Sequence, residues 1–188
     1  MNKKKITTIT SIALSAILVL GAIALFVLPK SGDILDSGVK RDGTPGDGGL
    51  VYIDPNIVAL AGELNGSPET QAAAKAAFDQ INAIRTARGL KAYTWNNGLE
   101  QAAGVRAVEA VSVWSHTRPD GTDYWTVNSA LVYGENLAKG YFSADGAVNG
   151  WVNSPTHLAN IVDSEFKTAA ISIHMAGGQW YWANEFGY

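Results

Sequence analysis

Between Ile171 and Phe186 the chain carries a period-two pattern that is interrupted once. Ile171, Ile173 and Met175 alternate with Ser172 and His174, Gly177-Gly178 follows, and Trp180, Trp182 and Phe186 alternate on the return. Alternation sends successive side chains to opposite faces of a strand, and a Gly-Gly pair between two alternating runs marks a two-residue hairpin turn. A lone hairpin cannot bury its own apolar stripe. The rest of the chain must therefore cover it. On this reading Trp180 and Trp182 are core rather than a shelf for a ligand. His174, opposite Ile171 and Ile173, is solvated or at the edge of the core.

The cover is helical. Ser67-Pro68-Glu69 opens a helix through Ala72, Phe78, Ile81, Ile84 and Arg85, which Gly89 stops. After Trp95, Asn97 is placed to cap a second helix, with Glu100 in the capping-box position. Its apolar positions are Leu99, Ala102, Ala103, Ala107 and Ala110. A third helix is expected from Ser143 to Asn153, carrying Ala147, Val148 and Trp151. Ser154-Pro155 is a cap and first-turn pair that opens a short helix holding His157 and Ile161. Asp54-Pro55 opens a further short helix that Gly66 ends. Helices first and paired strands last predict an α+β layered domain with antiparallel strands.

The 188 residues suit one domain with appendages, and an apolar share of 47% against 16% charged residues indicates a packed globule. A net charge of −3 leaves no electrostatic footprint for nucleic acid. The chain has no cysteine, which removes disulfides, thiolate zinc sites, a cysteine nucleophile and a lipidated cysteine. Lys3, Lys4 and Lys5 precede an uncharged run from Ile6 to Leu28. As a helix that run reaches about 34 Å, enough to cross a bilayer with the lysines inside and the remaining chain outside. The rival reading is a cleaved signal peptide, with Ala22-Ile23-Ala24 as its site. Residues 1–29 are thus an anchor or signal, residues 30–67 a flexible Gly-rich linker with the short helix at its end, and residues 68–188 the folded domain.

Three polar, turn-rich segments hold the side chains suited to chemistry: S-H-T-R-P (115–119), Y-G-E-N-L-A (133–138) and N-S-P-T-H-L-A-N-I (153–161). They contribute His116, Glu135 and His157. Two imidazoles and one carboxylate form a donor set for a divalent metal such as zinc, with a position left for water. The same trio serves general acid–base work without a metal, or holds loops together as a hydrogen-bonded cluster. With Ser154 as cap, His157 falls in the first helical turn, where the helix dipole favours the neutral ring. Ser115 and Asn136 are supporting residues; a serine adjacent to its histidine seldom forms a nucleophile–base pair. Arg118 reads as a surface charge. No H-E-x-x-H, G-x-S-x-G, phosphate loop or dinucleotide fingerprint is present.

These segments, with I-N-A-I-R-T-A-R-G-L-K-A-Y-T-W-N-N-G-L-E-Q-A-A (81–103) before them and Y-W-A-N-E-F-G (181–187) after them, resemble in order the CAP superfamily. That superfamily comprises the cysteine-rich secretory, antigen 5 and pathogenesis-related class 1 proteins, and its domain is also called SCP. The resemblance runs from about residue 68 to residue 188 and implies a three-layer α-β-α sandwich with a central antiparallel sheet. It also implies a cavity presenting two histidines and two glutamates, which in some members holds a divalent metal. Carried over, His116, Glu135 and His157 take three of those places. The fourth is vacant, because Val152-Asn153-Ser154 follows Trp151. In this the chain looks like the shorter bacterial type of that superfamily.

Two functions follow from the resemblance. The first is a membrane-tethered or secreted module, not an enzyme, whose groove binds a small lipid-like or peptide ligand or a cell-surface partner. The second is a metal-dependent, peptidase-like hydrolase of the cell envelope that uses the same cluster.

Overall fold

A computed structural model describes residues 38–41 and 66–188. The apolar run at 6–28, most of the linker and the short helix expected over 54–66 lie outside the described residues. Among the described residues, no helix is long and apolar enough to cross a membrane.

Strands β1 (Val39–Lys40), β2 (Thr94–Trp95), β3 (Gly134–Lys139), β4 (Thr168–Ala176) and β5 (Gln179–Gly187) form one sheet in the order β1-β3-β5-β4-β2. The expected hairpin is β4–β5, with Ile173 opposite Trp182 and Met175 opposite Trp180. Gly177 and Gly178 turn it with φ of 56° and 74°, a left-handed backbone that suits glycine. The sheet is antiparallel except at one edge, where β2 pairs in parallel with Thr168 and Ala169. At the other edge, residues from within the expected linker join it: Val39 lies opposite Glu135 and Lys40 opposite Gly134. Lys40 is paired with Asp163, and the Arg41 guanidinium sits 4.1 Å from the Trp125 ring.

Helices cover both faces. Helix α1 (Pro68–Ala87) starts at the Ser67 cap, whose side chain accepts from Thr70 N. Helix α2 (Asn97–Ser112) is capped one residue earlier than the sequence suggested: the Asn96 side chain accepts from Gly98 and Leu99, and the Trp95 indole donates to Glu100. Helices α3 (Ala144–Val152) and α4 (Pro155–Ile161) follow. Ser154 occupies the cap position of α4 without a side-chain capping bond, because its hydroxyl meets His157 Nδ1 at 2.7 Å instead.

The core on the α1–α3–α4 side contains Phe78, Ile81, Trp151, Phe166, Ile171 and Trp182. On the other side, Ala103 and Ala107 of α2 meet Leu137 and Ala183 of the sheet. Alanines there bring the helix close to the strands. The result is the three-layer sandwich, with Met175 exposed because it lies at the hairpin tip. Arg85, almost fully buried, fastens α1 to α4 by donating to the carbonyls of Ile161 and Asp163.

Phe166 is wholly buried and stacks on Phe186 at 5.6 Å, whereas Phe142 is exposed. Urea unfolding should place Phe166→Ala about 3–5 kcal/mol below the parent and Phe142→Ala within about 0.5 kcal/mol of it.

Candidate functional site

Helix α2 delivers a charge into an apolar stripe. Arg106 lies one turn after Ala102 and Ala103, and no part of it reaches solvent. A buried guanidinium must be fully partnered. Its Nε donates to Glu135 Oε2 at 2.7 Å and its Nη2 to Glu135 Oε1 at 3.1 Å, a fork on one carboxylate. Nη1 donates to Glu109 at 2.6 Å, and Nη2 also donates to the Ser115 carbonyl at 2.7 Å. That last bond secures the loop that carries His116.

His116 closes the arrangement. Its Nδ1 lies 2.6 Å from Glu135 Oε1, donating to the ionised carboxylate, and the ring packs edge-on against Tyr124 at 6.0 Å. Its side chain keeps 12% exposure while Glu135 has none. The loop is locked by a Thr117–Asp123 bridge and by Asp120, which accepts from the Thr122 amide. Ser115 is engaged in the same way: its hydroxyl accepts from Thr117 N at 3.0 Å. Arg118, read from sequence as a surface charge, instead grips Glu109 at 2.7 Å and donates to Thr126, with its side chain only 14% exposed.

Burial pushes the Glu135 carboxyl up, but the hydrogen bonds from His116 and Arg106 outweigh it and hold the group below its ordinary value. Glu185 behaves oppositely. It lies directly across from Glu135 on β5, is fully buried, and finds no hydrogen-bond partner for either oxygen among the described residues. Burial, and then the Glu135 charge, hold it well above the usual carboxylate range. Glu135 is the ionised partner and Glu185 the neutral one. Burial first, and then its acidic neighbours, likewise raise the Tyr124 phenol.

The third expected member stands apart. Consecutive residues of a strand project to opposite faces, so Glu135 meets α2 while Asn136 meets α4. Asn136 donates to the His157 carbonyl at 3.0 Å and accepts from Asn160 at 2.9 Å. His157 is fully buried on that second face, its Nδ1 held by Ser154. The structure therefore brings together His116 and Glu135 and places His157 across the sheet. Among the described residues, no three His, Asp or Glu side chains group closely enough to hold a metal ion. The carboxylate that would ligate zinc is already shared by a guanidinium and an imidazole, so the donor set does not fit a zinc centre.

Sequence reasoning missed Arg106, Glu109 and Glu185. Arg106 interrupts the alanine stripe of α2, and Glu185 stands in a strand of aromatic and small residues. A charge inside an apolar period was the available signal.

The sequence matches the model of the CAP (cysteine-rich secretory protein) family over residues 78–186. No curated protein matches it at a significant level. Among solved structures, an outer surface protein from Borrelia burgdorferi aligns with a TM-score of 0.57 at 21% identity, covering 63% of this chain and 93% of that one. An extracellular protein containing a SCP domain from Bacillus anthracis aligns at 0.55 and 21% identity, covering 65% and 44%. A cysteine-rich secretory protein from Staphylococcus aureus aligns at 0.52 and 17%, covering 65% and 41%. This chain thus spans less than half of the last two.

Removing one partner of the buried pair leaves the other charge stranded. Arg106→Met and Glu135→Gln should each lower stability by about 3–5 kcal/mol, measured by urea unfolding, and the double variant should lose less than the sum.

The pH dependence follows from Glu185. Its folded value lies above its unfolded one, so its contribution is complete below the unfolded value of about 4.3 and is lost as pH rises towards the folded value. Through that window stability should fall by about 1.4 kcal/mol per pH unit on its account, and Glu185→Gln should flatten that limb in an unfolding series. Glu135 has the opposite sign: its contribution is present above the unfolded value and is lost as pH falls through its folded value.

Proposed function

Because the chain belongs to the CAP, or cysteine-rich secretory protein, family, we propose that it works outside the cytoplasm as a binding module, with the loop around His116 as its ligand-facing element. It is held at the membrane by the run at 6–28, or secreted if that run is cleaved. The ligand is a small lipid-like molecule, a peptide or a surface partner.

The carrying observation is that the groups around the His116 loop are already engaged, while Glu185, whose oxygens find no hydrogen-bond partner among the described residues, is fully buried behind them. Both Glu135 oxygens are taken, the Ser115 hydroxyl accepts from a backbone amide, and Arg106 uses all three of its nitrogens. A group poised for turnover would retain an uncommitted acceptor or nucleophile. What remains is a rigid loop presenting the edge of an imidazole backed by the buried Tyr124 ring, which suits recognition. The relatives described as an outer surface protein and an extracellular protein support the location.

One observation favours the second reading. A carboxylate 2.6 Å from Nδ1 orients an imidazole as it does in acid–base dyads, which suits a cell-envelope hydrolase. The two separate by experiment. The full chain would be assayed for melting-point shifts with a fatty acid and a sterol, and for hydrolysis of casein and of p-nitrophenyl esters. Binding predicts a saturable shift of several degrees that His116→Ala reduces, with no turnover above buffer. Turnover abolished by His116→Ala would replace the binding reading with the hydrolase one.

A further inference from the structure

The two most exposed large apolar side chains among the described residues lie on either side of Trp180, at the hairpin end of the sheet. They are Phe142, 58% exposed, and Met175, 47% exposed. Met175 stands beside the β4–β5 turn, opposite Trp180. Gly140 N donates to the Trp180 carbonyl, so β3 hands the chain on at the same level, and the Phe142 ring meets Trp180 edge-on at 6.0 Å. On the other face of the sheet, Lys139 lies opposite Tyr181, which packs edge-on against Trp114 at 6.4 Å. The Lys139 ammonium sits 4.8 Å from the Trp114 ring. Neither 139–142 nor 174–181 contains an acidic residue, and Asp145, three residues on, accepts from Gln80. Protruding apolar side chains ringed by Trp, Tyr and Lys are what a protein presents at the boundary between lipid headgroups and acyl chains.

The edge strand β1 aims the tether at that end. It runs antiparallel to β3, so its N-terminal end points towards Lys139 and the hairpin. Its seat is specific: Gly38 N donates to Thr156 Oγ1, Lys40 pairs with Asp163, and the Arg41 guanidinium donates to the Ser129 carbonyl. A Cβ at residue 38 would fall 2.6 Å from Asn136 Oδ1 and 2.8 Å from the Thr156 carbonyl, which leaves room for glycine alone. Ten residues carry the chain from Leu28 to Gly38, a reach of at most about 35 Å. Phe142 lies six residues beyond Asn136, about 20 Å at strand spacing. A tether fixed at Gly38 therefore passes the hairpin end with little slack. Without β1 the free tether would run 38 residues to Gly66 and reach about 130 Å.

We infer that the hairpin end is a lipid contact surface: Phe142 and Met175 enter the outer face of a bilayer, and the seated 38–41 segment turns the domain to present them. Two side chains bind a membrane weakly by themselves, but a short tether makes the contact intramolecular and raises its effective concentration. This surface rests on the membrane-held form of the binding module, and it uses residues outside the His116 cluster.

The chain has no cysteine, so a single introduced one carries the only label. Phe142→Cys, Met175→Cys and, as a control at the far end of β5, Tyr188→Cys would each be made in the full chain, given a nitroxide and placed in phosphatidylcholine vesicles. At 142 and 175, collisions with a water-soluble nickel complex should drop severalfold against position 188, while collisions with oxygen rise. Gly38→Val, added to either variant, unseats β1. It should lower contact by about sevenfold, following the −3/2 power of tether length, with as much chain sedimenting with the vesicles as before. The proposal falls if 142 and 175 are as open to the nickel complex as 188. It falls equally if both collision rates drop together, since the chain itself then covers that end. Contact unchanged by Gly38→Val would overturn the part given to β1. A chain that does not sediment with vesicles at all would remove the membrane-held reading and this surface with it. Sedimentation with both labels in water would remove the surface alone.

Discussion

The fork between Arg106 and Glu135 fixes the geometry around it. An arginine with no exposure on the face of α2 that meets the sheet is tolerated only because Glu135 offers two oxygens in one plane and Glu109 and the Ser115 carbonyl take the remaining donors. That requirement sets the rotation of α2 over the sheet. It also sets the height of the loop after α2, since the Ser115 carbonyl must stay within reach of Nη2. His116 is the next residue. Its position against Glu135 is therefore a consequence of the buried pair as much as a contact of its own.

The same pair explains the protonation pattern. With one guanidinium between them, two fully buried carboxyls facing each other across β3 and β5 repel too strongly for both to ionise. Arg106 and His116 favour Glu135, and Glu185 is left as the neutral partner. Arg118 carries the chain of charges outward by holding Glu109, so the network runs from a buried interior to a partly exposed rim. His116 is the member of it that lies between the two.

Much of the fold was legible because its signals are local. The hairpin announced itself through alternation and Gly177-Gly178, the Ser67 cap stands where composition placed it, and the third helix starts one residue after the expected Ser143, which caps it. Errors arose where two neighbours compete for one role, as with Asn96 and Asn97 at the start of α2, or where a side chain had a better partner, as with Ser154 and His157. The pairing of residues 39–40 with β3 depends on contacts distant in sequence, so a Gly-rich stretch could only read as a linker. At the site, the pairing of His116 with Glu135 followed from motif order. The place of His157 did not, because motif order does not state which face of a strand a neighbour occupies. Arg106 and Glu185 were visible as charges in apolar stripes, but a stripe reveals burial and not the partner.

Placing Glu135 and Asn136 side by side is what makes the sheet a divider. One residue sends a charge to α2, and the next sends an amide to α4, where Asn136, Asn160 and the His157 carbonyl form a neutral network. The ionic face and the amide face share a single pair of adjacent backbone units on β3. A shift of β3 by one residue would exchange them, stranding Arg106 against an amide and burying Glu135 among asparagines. Both sides would then lose their partners together. The register of this strand is therefore held from both layers at once, and a strand fixed between two satisfied polar networks holds the His116 loop in place through contacts of the chain's own side chains.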